Sequence, residues 1–182
     1  MNRLVFVILM VAIAVSSGQA QKYFSKTGVI IFHSDAPLEK IEATNGNANI
    51  VIDAATGAAE MSVLIKGFKF EKALMQEHFN ENYMESNQYP KAVFKGTVSD
   101  LGPLRSGKDG EFPVTAKGNL TMHGVTKPVT VNGSMIIKGD AISVSGRFDV
   151  VIADYNIDVP KVVRDNIAKT VTVSVQSALQ KM

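Results

Sequence analysis

The 182-residue chain contains no cysteine and no tryptophan, and neither sign of charge dominates it. The absence of cysteine excludes disulfides, thiolate metal sites, cysteine nucleophiles and a lipid-modified cysteine. The 19 basic and 17 acidic residues give a net charge of +2 and are interspersed along the chain. Because a nucleic-acid-binding protein usually carries a concentrated basic surface, we expect no nucleic-acid partner.

The first 20 residues have the pattern of a secretory signal peptide. Arg3 gives a positive start, residues 4–15 form an uninterrupted apolar run, and residues 16–20 are mostly small. The apolar run is too short to span a bilayer comfortably, although a retained membrane anchor is the alternative. Cleavage after Ala20 predicts a soluble, periplasmic or secreted protein that begins at Gln21, forms one domain over residues 21–182 and has no transmembrane segment.

Alternation of apolar and polar residues with a period of two dominates the rest of the chain, as is typical of half-buried β-strands. From Phe112 to Met122 every second residue is apolar or glycine, and the pattern resumes at Val125 after a break at His123–Gly124. This break predicts a hairpin. Similar runs, separated by turn signals such as Asn45–Gly46, predict about eight strands, an all-β fold and therefore a barrel or a sandwich.

Glycines at inward-facing strand positions favour the barrel. Glycine in a strand interior usually marks a bend or a close approach to the backbone, and a curved wall around a ligand requires both. The alternative is a sandwich core with many bulges. The four inward glycines are Gly96, Gly118, Gly133 and Gly146.

The segment from Glu71 to Met84 is predicted to be a helix inserted between strands. Its apolar residues recur at spacings of three and four, which places them on one helix face. We interpret this helix as a lid or plug over one end of the barrel. The predicted stripe consists of Leu74, Met75, His78, Phe79 and Tyr83.

No catalytic, metal or cofactor site is predicted. His33, His78 and His123 lack the close spacing of metal ligands. The sequence has no G-x-S-x-G, phosphate-loop or HExxH motif. Asp154 and Tyr155 form a polar pair without a third catalytic partner in the sequence.

Three segments, in the same order along the chain, resemble the YceI-like family. They are Asn82–Phe94 (NYMESNQYPKAVF), Gly118–Val131 (GNLTMHGVTKPVTV) and Phe148–Ile157 (FDVVIADYNI). The resemblance extends from about Tyr23 to the C-terminus. It implies a closed, lipocalin-like antiparallel barrel that holds a polyisoprenoid chain in a long apolar tunnel and does no chemistry on it.

The candidate site residues follow from the aromatic and methionine side chains near the helix and from the family-like strands. The ligand-binding candidates are Phe68, Phe70, Met75, Phe79, Tyr83, Met84, Tyr89, Phe94, Leu120, Met122 and Phe148. Ordinary core packing is the alternative for many of them. Head-group contacts are predicted from His123, Asp154 and Tyr155, although the backbone geometry of a turn is the alternative role of His123.

The leading functional hypothesis is an exported carrier or reservoir for a long apolar lipid, either a polyisoprenoid or an isoprenoid quinone. Burial of a methylene contributes about 0.8 kcal/mol, so about ten carbons barely offset an association cost of roughly 4–15 kcal/mol, whereas about twenty give useful affinity. The alternatives are an enzyme that acts on a lipid inside the barrel and a ligand-free envelope scaffold. We expect a monomer or a homodimer.

Overall fold

The period-two strands close into one antiparallel barrel in the computed structural model, which describes residues 21–182. The predicted signal peptide, residues 1–20, lies outside the described residues. The long strands are β1 (Lys22–Asp35), β2 (Lys40–Asp53), β3 (Ala58–Leu64), β5 (Lys91–Val98), β6 (Gly110–Met122), β7 (Val125–Lys138), β8 (Ala141–Val151) and β9 (Thr170–Lys181). A two-residue strand, β4 (Lys69–Phe70), pairs with β2.

The barrel closes because β1 pairs with both β2 and β9. The other neighbours are β2 and β3, β3 and β5, and then the antiparallel series from β5 to β9 in chain order. The prediction of a closed antiparallel barrel of about eight strands is confirmed, and the sandwich alternative is excluded.

Two pairs of inward glycines let neighbouring strands approach closely. Gly96 lies opposite Gly118, and Gly133 lies opposite Gly146. A Cβ atom at Gly133 would collide with the carbonyl oxygen of Ser145. Any side chain at this position would therefore force β7 away from β8.

The helical segments lie at the two ends of the barrel. Helix α1 (Ala73–His78) continues into a π-helical turn at Phe79–Tyr83, and helix α2 is Gly102–Ser106. Single 3₁₀ turns occupy Ile65–Gly67, Ile152–Tyr155 and Lys161–Val163. Within residues 21–182, the helices do not reach the length and hydrophobicity that a membrane crossing requires.

Two sequence predictions need correction. The helix is shorter than Glu71–Met84, and Leu74 lies in its first turn with 61% of its surface exposed, so it is not part of the inward stripe. Asn45–Gly46 is not a turn, because β2 continues through it. The buried Asn45 side chain donates a hydrogen bond to Leu64 O at 2.9 Å and accepts one from Asn47 N at 3.0 Å. Because the hydrogen bond to Leu64 holds Asn45 inside the fold, the Asn45–Gly46 sequence forms a register shift in the β1–β2 pairing instead of a turn.

One end of the barrel is filled and the other is hollow. At the filled end, Leu104 of helix α2 and Leu101, which directly precedes the helix, pack in one cluster with Met135, Ile137 and other buried side chains. Arg105 fixes this helix by donating a hydrogen bond to Ala54 O at 3.0 Å. The aromatic residues around α1 surround the hollow end.

Candidate functional site

An apolar cavity of about 330 Å³ occupies the hollow end. Strands from most of the barrel, helix α1 and the loop between β8 and β9 contribute to its wall. All of the predicted ligand-binding residues except Tyr89 line this cavity: Phe68, Phe70, Met75, Phe79, Tyr83, Met84, Phe94, Leu120, Met122 and Phe148. The structure therefore brings these side chains together around one space.

Four phenylalanine rings from different elements form the cavity wall beside α1. The centroid of the Phe32 ring lies 5.6 Å from that of Phe68, 5.7 Å from that of Phe70 and 5.5 Å from that of Phe79. The rings of Phe70 and Phe79 lie 4.9 Å apart. This aromatic cluster, Phe32, Phe68, Phe70 and Phe79, joins the helix to β1 and β4, as the lid prediction requires.

Sequence reasoning missed several wall residues. Ile30 and Phe32 on β1 follow the inward alternation, so the pattern itself could have identified them. Val171 and Val173, two positions apart on β9, also line the cavity. The loop residues, such as Ile167, have no periodic signal.

A smaller apolar space of about 110 Å³ lies deeper in the barrel. Met61, Phe94 and Phe148 line both spaces and form the waist between them. In place of the predicted long tunnel the barrel holds two chambers, and the volume of the outer chamber is three times that of the inner one.

The chamber volumes set the length of chain that can be buried. An apolar cavity of about 150 Å³ holds one benzene, or about 25 Å³ per carbon. On this scale the 330 Å³ outer chamber holds about 13 carbons. The 110 Å³ inner chamber adds about four when the waist opens. The interior thus buries fewer carbons than the twenty considered from the sequence.

His123 does not line the cavity, because both of its ring nitrogens are engaged elsewhere. Nδ1 donates a hydrogen bond to Tyr155 O at 2.9 Å, and Nε2 lies 2.9 Å from Glu85 Oε2. His123 and Gly124 have φ angles of +50° and +74°, as a tight two-residue hairpin turn requires. Tyr89 also lies outside the lining, with its ring 4.7 Å from the imidazole. This arrangement agrees with the alternative role of His123, which is to supply the backbone geometry of the hairpin turn.

The other predicted head-group residues also lie away from the cavity lining. Asp154 is exposed. Tyr155 is 2% exposed, and its hydroxyl has no hydrogen-bond partner among the described residues. Burial, followed by the nearby Asp154 carboxylate, raises the pKa of the Tyr155 phenol above its ordinary value of 10.0.

Besides Tyr83, the polar residues of the lining belong to the end of β1, the β1–β2 turn, helix α1 and the β8–β9 loop, which surround the mouth of the cavity. We call Ser34, Glu39, His78 and Asn166 the polar mouth cluster. The Glu39 carboxylate accepts hydrogen bonds from Lys72 Nζ and from Asn166 Nδ2, both at 3.3 Å. Close by, Leu38 N donates to Asp165 O at 3.0 Å. Glu39 therefore links the β1–β2 turn to helix α1 and to the β8–β9 loop.

The histidines are dispersed. His33 is paired with Glu42 at 3.2 Å, His78 lies at the mouth, and His123 lies in the β6–β7 hairpin. Among residues 21–182 the structure contains no group of three or more His, Cys, Asp or Glu side chains arranged to hold a metal ion.

Solved structures with the same architecture come from several bacteria. A polyisoprenoid binding domain from Saccharophagus degradans, implicated in plant cell wall breakdown, is similar with a TM-score of 0.73 and 14% identity, over 88% of this chain and 98% of that chain. BcnA of Burkholderia cenocepacia has a TM-score of 0.69 and 18% identity, over 84% and 95%. The YCEI protein of Campylobacter jejuni has a TM-score of 0.60 and 14% identity, over 77% and 84%. These likenesses establish the fold.

Sequence comparison identifies the family. The UPF0312 protein VPA0850 of Vibrio parahaemolyticus is 26% identical over 111 residues, and the match covers 60% of this chain and 49% of that protein, about half of its length. The family model of the YceI-like domain matches residues 20–179, which include every strand of the barrel except the last residues of β9. The chain belongs to the YceI-like family.

Proposed function

We propose that this protein binds the hydrocarbon chain of an isoprenoid lipid, a polyisoprenoid or an isoprenoid quinone, inside the hollow end of the barrel. The observation that carries the proposal is the apolar cavity of about 330 Å³, whose size falls within the range of small-molecule sites. The polyisoprenoid binding domain of Saccharophagus degradans has the same fold, which supports this choice of ligand class.

The energetics favour a chain that fills the chamber. Burial of about 13 carbons contributes about 10 kcal/mol, which lies within the roughly 4–15 kcal/mol that association costs. Each carbon fewer lowers this gain by about 0.8 kcal/mol. A chain that also enters the inner chamber gains about 3 kcal/mol more from about four further carbons. We therefore expect affinity to rise steeply with chain length until both chambers are filled.

The cellular part of the proposal is that the protein is exported and carries or stores its lipid outside the cytoplasm. The signal-peptide pattern of residues 1–20 supports export. N-terminal sequencing of the protein from the periplasmic or extracellular fraction is expected to begin at Gln21. Its recovery with an intact N-terminus in the cytoplasm would contradict the proposal.

A tryptophan reporter tests lipid binding directly, because the chain contains no tryptophan of its own. Phe148→Trp places the indole at the waist, where the inner chamber offers space for the larger ring. Titration of the delipidated variant with farnesol, which has 15 carbons, is expected to shift its emission and to saturate at about one ligand per chain, because a single chamber of this size has room for one such chain.

Phe24→Trp is the matched control. Phe24 lies on the outer face of β1, between the inward-facing and buried Tyr23 and Ser25. The emission of the Phe24→Trp variant is expected to remain unchanged over the same titration. Equal responses of the two variants, or no response of either, would contradict binding inside the barrel.

A further inference from the structure

We infer that the cavity selects lipids with an uncharged, hydroxyl-bearing head group, such as a polyprenol or a hydroquinone, over lipids that end in phosphate or diphosphate. The inference deepens the proposed function and rests on it. Its basis is the chemistry of the polar mouth cluster, where the head group of a chain buried in the outer chamber would lie.

The charge of the lining opposes an anionic head group. Within residues 21–182, Glu39 and His78 are the titratable acid and imidazole of the lining, and lysine and arginine are absent from it. A phosphate at this position would lie beside a carboxylate of the same sign in a partly desolvated site. A hydroxyl group carries no such penalty and can donate a hydrogen bond to the carboxylate.

Three cations on the segments that carry the polar mouth cluster have partners of their own. Lys72 is the more exposed member of its pair with Glu39, with 63% of its side chain exposed against 27% for the carboxylate. Lys40 pairs with Asp35 at 3.5 Å, and Arg164 donates to Val159 O at 3.4 Å. The acidic member of the Lys72–Glu39 pair therefore faces the cavity, while its cation faces solvent.

Ser34 supplies the complementary donor. It is 2% exposed, and its oxygen accepts a hydrogen bond from Ala168 N at 2.8 Å. Its hydroxyl hydrogen has no acceptor among the described residues. Asn166 binds the Glu39 carboxylate, and Ala168, two positions later, binds the Ser34 hydroxyl. One short segment therefore connects the hydrogen-bond acceptor, Glu39, with the donor, Ser34. An alcohol both donates and accepts a hydrogen bond, and this pair of residues satisfies both capacities.

Farnesol and farnesyl diphosphate provide a matched test, because they share one hydrocarbon chain and differ in the head group. We expect the delipidated Phe148→Trp protein to bind farnesol at least about tenfold more tightly than farnesyl diphosphate, because only the diphosphate brings a like charge to Glu39. Glu39→Gln removes this charge and releases Lys72, so it is expected to bring the ratio of the two affinities close to one.

Glu111→Gln is the control for net charge, since it removes one exposed carboxylate at the filled end of the barrel. It is expected to leave the affinity ratio unchanged. Ser34→Ala is expected to weaken farnesol binding severalfold, because the hydroxyl loses its donor. Thermal melts of each variant establish that it is folded.

The outcomes separate this inference from the proposed function. If neither ligand binds, the proposed function fails and the inference fails with it. If the diphosphate binds as tightly as the alcohol or more tightly, or if Glu39→Gln does not change the ratio, the head-group inference is overturned while lipid binding stands.

Discussion

Phe79→Ala tests whether α1 closes a ligand chamber or a solid core. The Phe79 ring lies 4.9 to 5.8 Å from the rings of Phe70, Phe32 and Phe68, and it also lines the 330 Å³ cavity. Truncation in a solid core costs about 3–5 kcal/mol, because it opens a new void. Here the void already exists. The loss is mainly three ring contacts of about 0.5–1.5 kcal/mol each, which are not fully additive, so we expect about 2 kcal/mol.

Phe112→Ala is the matched control for this truncation. Phe112 is half-buried, packs at the filled end and is not among the lining residues of either chamber. Its truncation is expected to cost about 3 kcal/mol, as in a packed core. For a domain of this size 1 kcal/mol lowers Tm by about 2–4 °C, so Phe79→Ala should lower it by about 4–8 °C.

Lipid uptake gives the second readout. Both variants are delipidated. One sample of each is used for the thermal melt, and a separate folded sample is titrated with farnesol in competition with a fluorescent lipid. Phe79→Ala is expected to weaken uptake about tenfold, because one aromatic wall of the chamber is lost. Phe112→Ala is expected to leave uptake unchanged. A larger loss of stability for Phe79→Ala than for Phe112→Ala, together with unchanged uptake, would refute the assignment of Phe79 to the chamber.

The remaining predictions concern the residues around the chamber and the β2–β3 turn. Tyr155→Phe removes a buried hydroxyl without a partner among the described residues, so it should leave stability unchanged or raise it by about 1 kcal/mol and leave lipid uptake unaltered; reduced uptake would contradict this placement. His123→Asn tolerates the positive φ but loses the bonds to Tyr155 and Glu85, so its thermal melt should show a loss of stability of about 1–3 kcal/mol. His123→Ala should lose about 1 kcal/mol more, because alanine is strained at a positive φ; equal losses would argue against backbone strain. The backbone N–H of Thr56, followed by that of Ala55, holds the pKa of the Asp53 carboxyl below its ordinary 3.8. The ionised carboxylate therefore stabilises the fold above pH 3.8, and this stabilisation is lost as the pH falls through the lower pKa of the folded state. Acid unfolding should therefore be less steep in Asp53→Asn, and identical acid limbs would contradict this.

Alternation in the sequence predicted the strands, while the inward glycines and the family resemblance favoured a barrel over a sandwich. Leu120 and Met122 share the inward face of β6, and the same parity that predicted the strand also placed both side chains in the chamber. Phe79 was located by helical spacing in the same way. These residues could be identified because a regular element fixes which way each side chain points.

The remaining features depend on contacts between distant segments. His123 was predicted to contact a head group, with the backbone geometry of the turn as the alternative. Its partner Glu85 lies 38 positions away, and only the folded chain shows that the ring is engaged. Glu39 and Asn166 lie 127 positions apart, in loops that have no periodicity. The polar mouth cluster was therefore beyond sequence reasoning, whereas the apolar wall was not.

The most direct test of lipid binding is mass spectrometry of organic extracts from natively purified protein, combined with lipid uptake by the delipidated form. We expect about one isoprenoid-type lipid per chain, since the outer chamber holds a single hydrocarbon chain of about 13 carbons. The extracted lipid should bind again to the delipidated protein, and Phe79→Ala should retain less of it. Protein that is free of lipid when purified and that takes up no isoprenoid lipid afterwards would contradict the central claim.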